Sequence, residues 1–104
     1  MFIVSLNYKV PLAEIDAMLD AHRAFLDRHF TTGVFLASGP KEPRTGGVIL
    51  ACKTSRQALE SILAQDPFHQ LGLADYAIET VQFSRFSEAL PETCRHLLGS
   101  RTVA

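Results

Sequence analysis

The 104-residue sequence has only two cysteines, Cys52 and Cys94, far apart and in no metal-ligand spacing. A disulfide framework is therefore not expected, and two lone thiols without a secretory signal fit a reducing cytoplasm. An excess of one charge is also missing. Ten Lys and Arg stand against eleven Asp and Glu, a net charge of -1, with no run of like sign. That balance argues against binding nucleic acid through its phosphates and against docking on an anionic membrane. Long apolar runs are absent as well. Met1 to Leu6 is too short and lacks the basic start of a signal peptide. No stretch approaches the roughly 20 apolar residues of a membrane-spanning helix. A soluble, cytoplasmic protein without nucleic-acid or membrane partners is expected.

What is present suits one domain. Hydrophobic residues make up 47% of the chain, enough for a core without disulfide or metal support. Phe2 to Tyr8 reads as a strand with Phe2, Val4, Leu6 and Tyr8 on one face. After Pro11, the residues Ile15, Met18, Leu19, Phe25, Leu26 and Phe30 recur at helical spacing, and Gly33 marks a stop. Gly33 to Ala37 reads as a second strand, closed by Ser38-Gly39-Pro40, with Phe35 and Ala37 on one face. Val48 to Lys53 makes a third strand, paired with the second as a hairpin across the loop from Lys41 to Gly47. A capping-box pattern at Thr54 to Gln57 opens a second helix, ending near Gln65. Asp66-Pro67-Phe68 then starts a turn, and Ala74 to Phe83 is the last strand. Pro91 to Leu98 forms a short extra helix closed by Gly99.

The order βαββαβ implies an α+β fold of ferredoxin-like arrangement, with a four-stranded antiparallel sheet and helices on one face. Strand two splits Phe35 and Ala37 from Val34 and Leu36. Strand three splits Val48, Leu50 and Cys52 from Ile49 and Ala51, and two helices can cover only one of the two apolar faces. An exposed apolar face of that size predicts a symmetric homodimer.

His22 is the residue that most needs a functional account. It lies three residues after Leu19 and four before Leu26, so it shares the helix stripe turned toward the sheet. One reading is a core histidine bonded to a backbone carbonyl. The other is a general acid or base oriented by a carboxylate. Asp66, before Pro67, reads locally as a cap or turn starter. It is also the candidate partner, because its loop can fold back toward the first helix. Ser38-Gly39-Pro40 reads as a plain turn or as a ligand contact in which Gly39 permits close approach. Phe25, Phe35 and Phe68 are candidate walls of an apolar pocket. Lys41 and Arg44 can attract an anion. A metal set of His22, His29 and Asp66 lacks tight H-x-x-x-H spacing, so no metal is expected.

His22, Gly33, Ser38-Gly39-Pro40, Gly46-Gly47, Asp66-Pro67-Phe68 and Gly72-Leu73, in that order and spacing, make the chain resemble the YCII-related (YciI-like) proteins. The resemblance runs from Met1 to about Phe86, leaving Ser87 to Ala104 as an extension. It implies a dimeric ferredoxin-like α/β barrel related in shape to muconolactone isomerases. It also implies an active site of one His and one Asp, falling on His22 and Asp66, with Ser38 near the pocket. The expected function is cofactor-independent proton transfer, of lyase or isomerase type, on a small organic metabolite such as a chlorinated or hydroxylated ring compound. Substrate contacts are expected at Ser38, Gly39, Pro40 and Phe68. A non-catalytic dimeric module that binds a small ligand is the alternative, and a plain dimerisation scaffold without a pocket is a third reading.

Overall fold

The computed structural model describes residues 1–99. Its first seven elements are β1 (Phe2–Tyr8), α1 (Leu12–Ala17), α2 (Leu19–Thr31), β2 (Phe35–Pro40), β3 (Gly46–Ala51), α3 (Arg56–Leu63) and α4 (Pro67–Gln70). β4 (Ala74–Thr80) and α5 (Glu92–Gly99) complete the described residues. Four strands form one antiparallel sheet in the order β2-β3-β1-β4, which is the ferredoxin-like arrangement. Of the expected C-terminal extension, residues 100–104 lie outside those described.

The core follows from alternation along the strands. Phe2, Val4 and Leu6 of β1 pair across the sheet with Ala51, Ile49 and Gly47 of β3. The same three residues oppose Thr80, Ile78 and Tyr76 of β4. Together with Ile15, Phe25, Leu59, Leu63 and Phe68 from the helices they make one apolar cluster. Burying that many large side chains between one sheet and one helical layer is what drives a chain of this size to fold.

The first helix is not continuous. Met18, with φ -109° and ψ 8°, separates α1 from α2, although no glycine or proline lies nearby. Gly33 ends α2 with φ +81°, a conformation that glycine adopts without strain. Ser55 caps α3 by accepting from Ala58 N at 3.1 Å, one residue later than the capping-box reading places it.

Three further expectations are corrected. Ser38, Gly39 and Pro40 do not close β2 but form its second half. The register shifts between Phe35 and Ala37, so Phe35 opposes Ala51 whereas Ala37 opposes Leu50. Leu36 is thus an extra residue in the edge strand, a β-bulge, and Phe35 and Ala37 lie on opposite faces. The bulge turns Ser38 and Pro40, rather than Ala37, toward the helical side. β4 also ends at Thr80, short of Phe83.

The sheet's outer face is more polar than the strand pattern implies. Ile3, Val48 and Leu50 are half-buried there. Lys41 reaches back from the hairpin loop, its Nζ donating to Ser5 Oγ at 2.7 Å and to Asn7 Oδ1 at 2.9 Å. No helix among the described residues is long and apolar enough to cross a membrane.

Candidate active site

α2 presents His22 from the first turn after the Met18 break, at the end of the stripe that faces the sheet. α4 presents Asp66 as its N-cap, where the carboxylate accepts from Phe68 N at 3.0 Å. The two local readings of Asp66, cap and histidine partner, are both true. Oδ1 also lies 2.8 Å from His22 Nδ1, and Oδ2 accepts from the Tyr76 hydroxyl. Capping uses one lone pair and leaves the others free, because a carboxylate offers about four acceptor positions.

Asp66 is completely buried, and the His22 side chain is 12% exposed. A buried carboxylate is tolerated only when hydrogen bonds replace its lost hydration. Three donors do so here: the His22 ring, the Phe68 amide and the Tyr76 hydroxyl. Burial, followed by the nearby Asp66 charge and its hydrogen bond, pushes the Tyr76 phenol far above its usual range. Tyr76 therefore keeps its proton and remains a donor.

This geometry assigns the tautomer of His22. With Nδ1–H directed at Asp66, the lone pair of the neutral ring sits on Nε2. Among the described residues that nitrogen has no hydrogen-bond partner, yet it is not among the buried unpartnered atoms. The ring is clamped from the side by Phe68, stacked at 4.0 Å between centroids with planes 6° apart.

His22 borders a cleft of about 470 Å³, whose floor and walls include Leu6, Leu19, Leu26, Ile49 and Phe68. Its size suits a small organic molecule. Ser38, Gly39 and Pro40 of β2 line the opposite side, together with Gly47 and Val48 of β3. Charged groups gather in the same lining: Arg44 from the hairpin loop, Asp16 from α1 and Arg23 from α2. Arg44 donates to Asp16 at 2.6 Å. That bond holds the Asp16 carboxyl below its usual range, with the Arg44 and Arg23 charges adding and partial burial opposing.

Several expected site residues fall elsewhere. Phe25 and Phe35 are fully buried in the core and do not line the cleft, because the β2 bulge and the α2 stripe turn them under the sheet. Lys41 is committed to the outer face, whereas Arg44 does reach the cleft. His29 is half-buried against Phe25 and Phe35, and its Nε2 has no hydrogen-bond partner among the described residues. Among the described residues no three His, Cys, Asp or Glu side chains gather as a metal-holding group.

Sequence reasoning missed Tyr76, Tyr8, Asp16 and Arg23. For Tyr76 a signal was available. Strand alternation places it with Ala74 and Ile78 on the core face, where a tyrosine hydroxyl needs a partner.

Fold and site together define a small ferredoxin-like α+β domain with a polar-rimmed cleft over one end of its sheet. Residues 1–82 match the YCII-related domain, and the chain belongs to that family. Among solved structures it is similar to the 5-chloro-2-hydroxyhydroquinone dehydrochlorinase TftG of Burkholderia phenoliruptrix AC1100, solved in complex with 2,5-dihydroxybenzoquinone. The two are 21% identical with a TM-score of 0.64, over 81% of this chain and 96% of that one. At that identity the likeness is one of fold. A comparison with the curated proteins finds no match.

Proposed function

We propose that the protein is a cofactor-independent enzyme of lyase or isomerase type, acting on a small organic metabolite in the cytoplasm through proton transfer by His22. The observation that carries this reading is the asymmetry of the imidazole. One nitrogen is bonded to a fully buried carboxylate at 2.8 Å; the other has no hydrogen-bond partner among the described residues, on a ring that lines the cleft.

A neutral histidine so held is a general base. Nε2 accepts a proton from a substrate carbon, and the C–H electron pair forms a new double bond. In an elimination the leaving group departs with its own bonding pair. In an isomerisation the pair shifts along a conjugated system, and the same imidazolium returns the proton to another carbon. Asp66 stabilises the imidazolium and fixes its orientation, as the carboxylate of a hydrolytic triad does. The Phe68 ring face adds a weak attraction for the cation. Arg44 and Arg23 are the cationic side chains of the cleft lining, and they suit negative charge developing on a substrate oxygen or leaving group. Ser38, Gly39, Pro40 and Phe68 shape the bound substrate. The likeness in fold to a dehydrochlorinase supports the lyase form.

A homodimer is part of this proposal. Ile3, Val48 and Leu50 on the outer face would be covered by the same face of a second copy.

The test uses chlorinated and hydroxylated hydroquinones in deuterated solvent, read by chloride release and by deuterium entering the substrate. Exchange or elimination is expected with the native protein, falling on the order of 10²–10⁴-fold in His22→Ala. Tight binding without exchange, unchanged by His22→Ala, would replace the enzyme with a non-catalytic ligand-binding module.

A further inference from the structure

Tyr76 stands one carboxylate away from His22. It lies mid-way along β4, opposite Leu6 in the register, and its hydroxyl meets Asp66 Oδ2. The other oxygen, Oδ1, serves His22 Nδ1 and the Phe68 amide. The division has a chemical consequence. A donor on one carboxylate oxygen draws negative charge toward itself and weakens the attraction that the other oxygen exerts on an imidazolium. Asp66 is completely buried, so no solvent can replace or buffer that donor.

We propose that Tyr76 is a positioning residue for His22, its hydroxyl holding the Asp66 carboxylate in place and setting the pH at which His22 takes up a proton. The proposal rests on the acid/base reading for its link to turnover, but the coupling itself can be measured without a substrate.

Other charged and titratable groups surround the relay. His69 packs against the Tyr76 ring at 5.3 Å between centroids. Arg56 and Glu60 line a second hollow together with Tyr76 and His69. Asp16, Arg23 and Arg44 share the cleft with His22, as does Tyr8, whose ring meets Phe68 edge-on. Changes confined to the Tyr76 hydroxyl leave all of them in place, so a change in His22 titration reports on that hydroxyl.

The experiment follows the His22 ring by NMR from pH 4 to 9 in the full chain, its signals assigned by their loss in His22→Ala. In Tyr76→Phe the Asp66 charge turns more fully toward His22, and the midpoint is expected to rise by about 0.5 unit or more. Fluorotyrosine supplies the opposite perturbation with the ring retained. Tyr8 and Tyr76 are the two tyrosines of the chain, so a Tyr8→Phe protein grown on fluorotyrosine is labelled at Tyr76 alone. The more acidic phenol bonds more strongly, and the midpoint is expected to fall relative to unlabelled Tyr8→Phe. If Tyr76→Phe does not fold, the fluorotyrosine arm decides alone. An unchanged midpoint on fluorination overturns the proposal, as does a fall in Tyr76→Phe. Retained turnover in His22→Ala would instead remove the acid/base reading and leave the titration result standing.

Discussion

Phe68 lies face to face with His22, and its amide donates to the same Asp66 oxygen that accepts from the imidazole. The four-residue helix α4 therefore grips the histidine twice, once by a ring face and once by a carboxylate. Backbone and side chain are tied through one cap, so the imidazole cannot turn without disturbing that cap.

Loosening the stack separates these two grips. Phe68 is fully buried, and Phe68→Leu is expected to cost about 1–2 kcal/mol, less than a full truncation to alanine. Urea unfolding measures that loss. The Asp66 bond survives, but the ring is less well aimed, and turnover should fall on the order of 10-fold or more.

Asp66 variants distinguish charge from shape. Asp66→Asn can still accept from the Phe68 amide, and its amide nitrogen can donate to the Tyr76 oxygen. The fold should lose only about 1–3 kcal/mol, while loss of the negative charge lowers turnover by about 10²-fold or more. Asp66→Ala strands two buried donors and the cap, so a larger loss, about 3 kcal/mol or more, is expected in the same unfolding assay.

His29 gives stability a pH dependence. Burial, with a smaller contribution from the Arg28 charge, holds its ring below the usual histidine range, against an opposing contribution from the Gln65 side chain. The folded state thus takes up this proton less readily than the unfolded chain. The unfolded chain then binds more protons at acid pH, so stability should fall as pH drops below about 6.5, the unfolded value. Comparing denaturation midpoints at neutral and mildly acid pH tests this. In His29→Leu the acid loss should shrink; an identical slope would assign it to other groups.

The outer sheet face is the proposed dimer interface. Leu50 stands near its centre, paired with Ile3 of β1. A lysine there would place a charge against its own symmetry mate. Native protein should sediment as a dimer and Leu50→Lys as a monomer, with the His22 NMR signals preserved; a native monomer would remove the dimer from the proposal.

The fold was legible in the sequence because its elements are amphipathic over short windows. Phe2, Val4 and Leu6 alternate, Leu19, His22 and Leu26 recur at helical spacing, and Gly33 stops the helix. The Met18 break was not legible, for neither glycine nor proline accompanies it. Nor was the Leu36 bulge, because a register shift depends on how β2 meets β3 and not on either strand alone. The His22–Asp66 contact was only half legible. Local sequence reads Asp66 as a cap, which it is, and the second bond depends on α4 folding against α2. For Tyr76, strand alternation marks the core face, but its partner Asp66 depends on how α4 packs against β4. The aromatic pocket wall was misread because Phe25 and Phe35 carry the same apolar signal whether they face a cavity or a core.

The extra residue in β2 also makes the cleft sensitive to register. Were Leu36 paired regularly with Leu50, Ala37 would oppose Ile49 and Ser38 would face outward beside Val48. One surface would lose its hydroxyl, and the other would gain one where Val48 and Leu50 now lie. The same strand, paired without its bulge, would offer a different floor to a ligand and a different skin to a neighbour. At this edge, one step of register can rewrite specificity and self-association together, without replacing a single side chain.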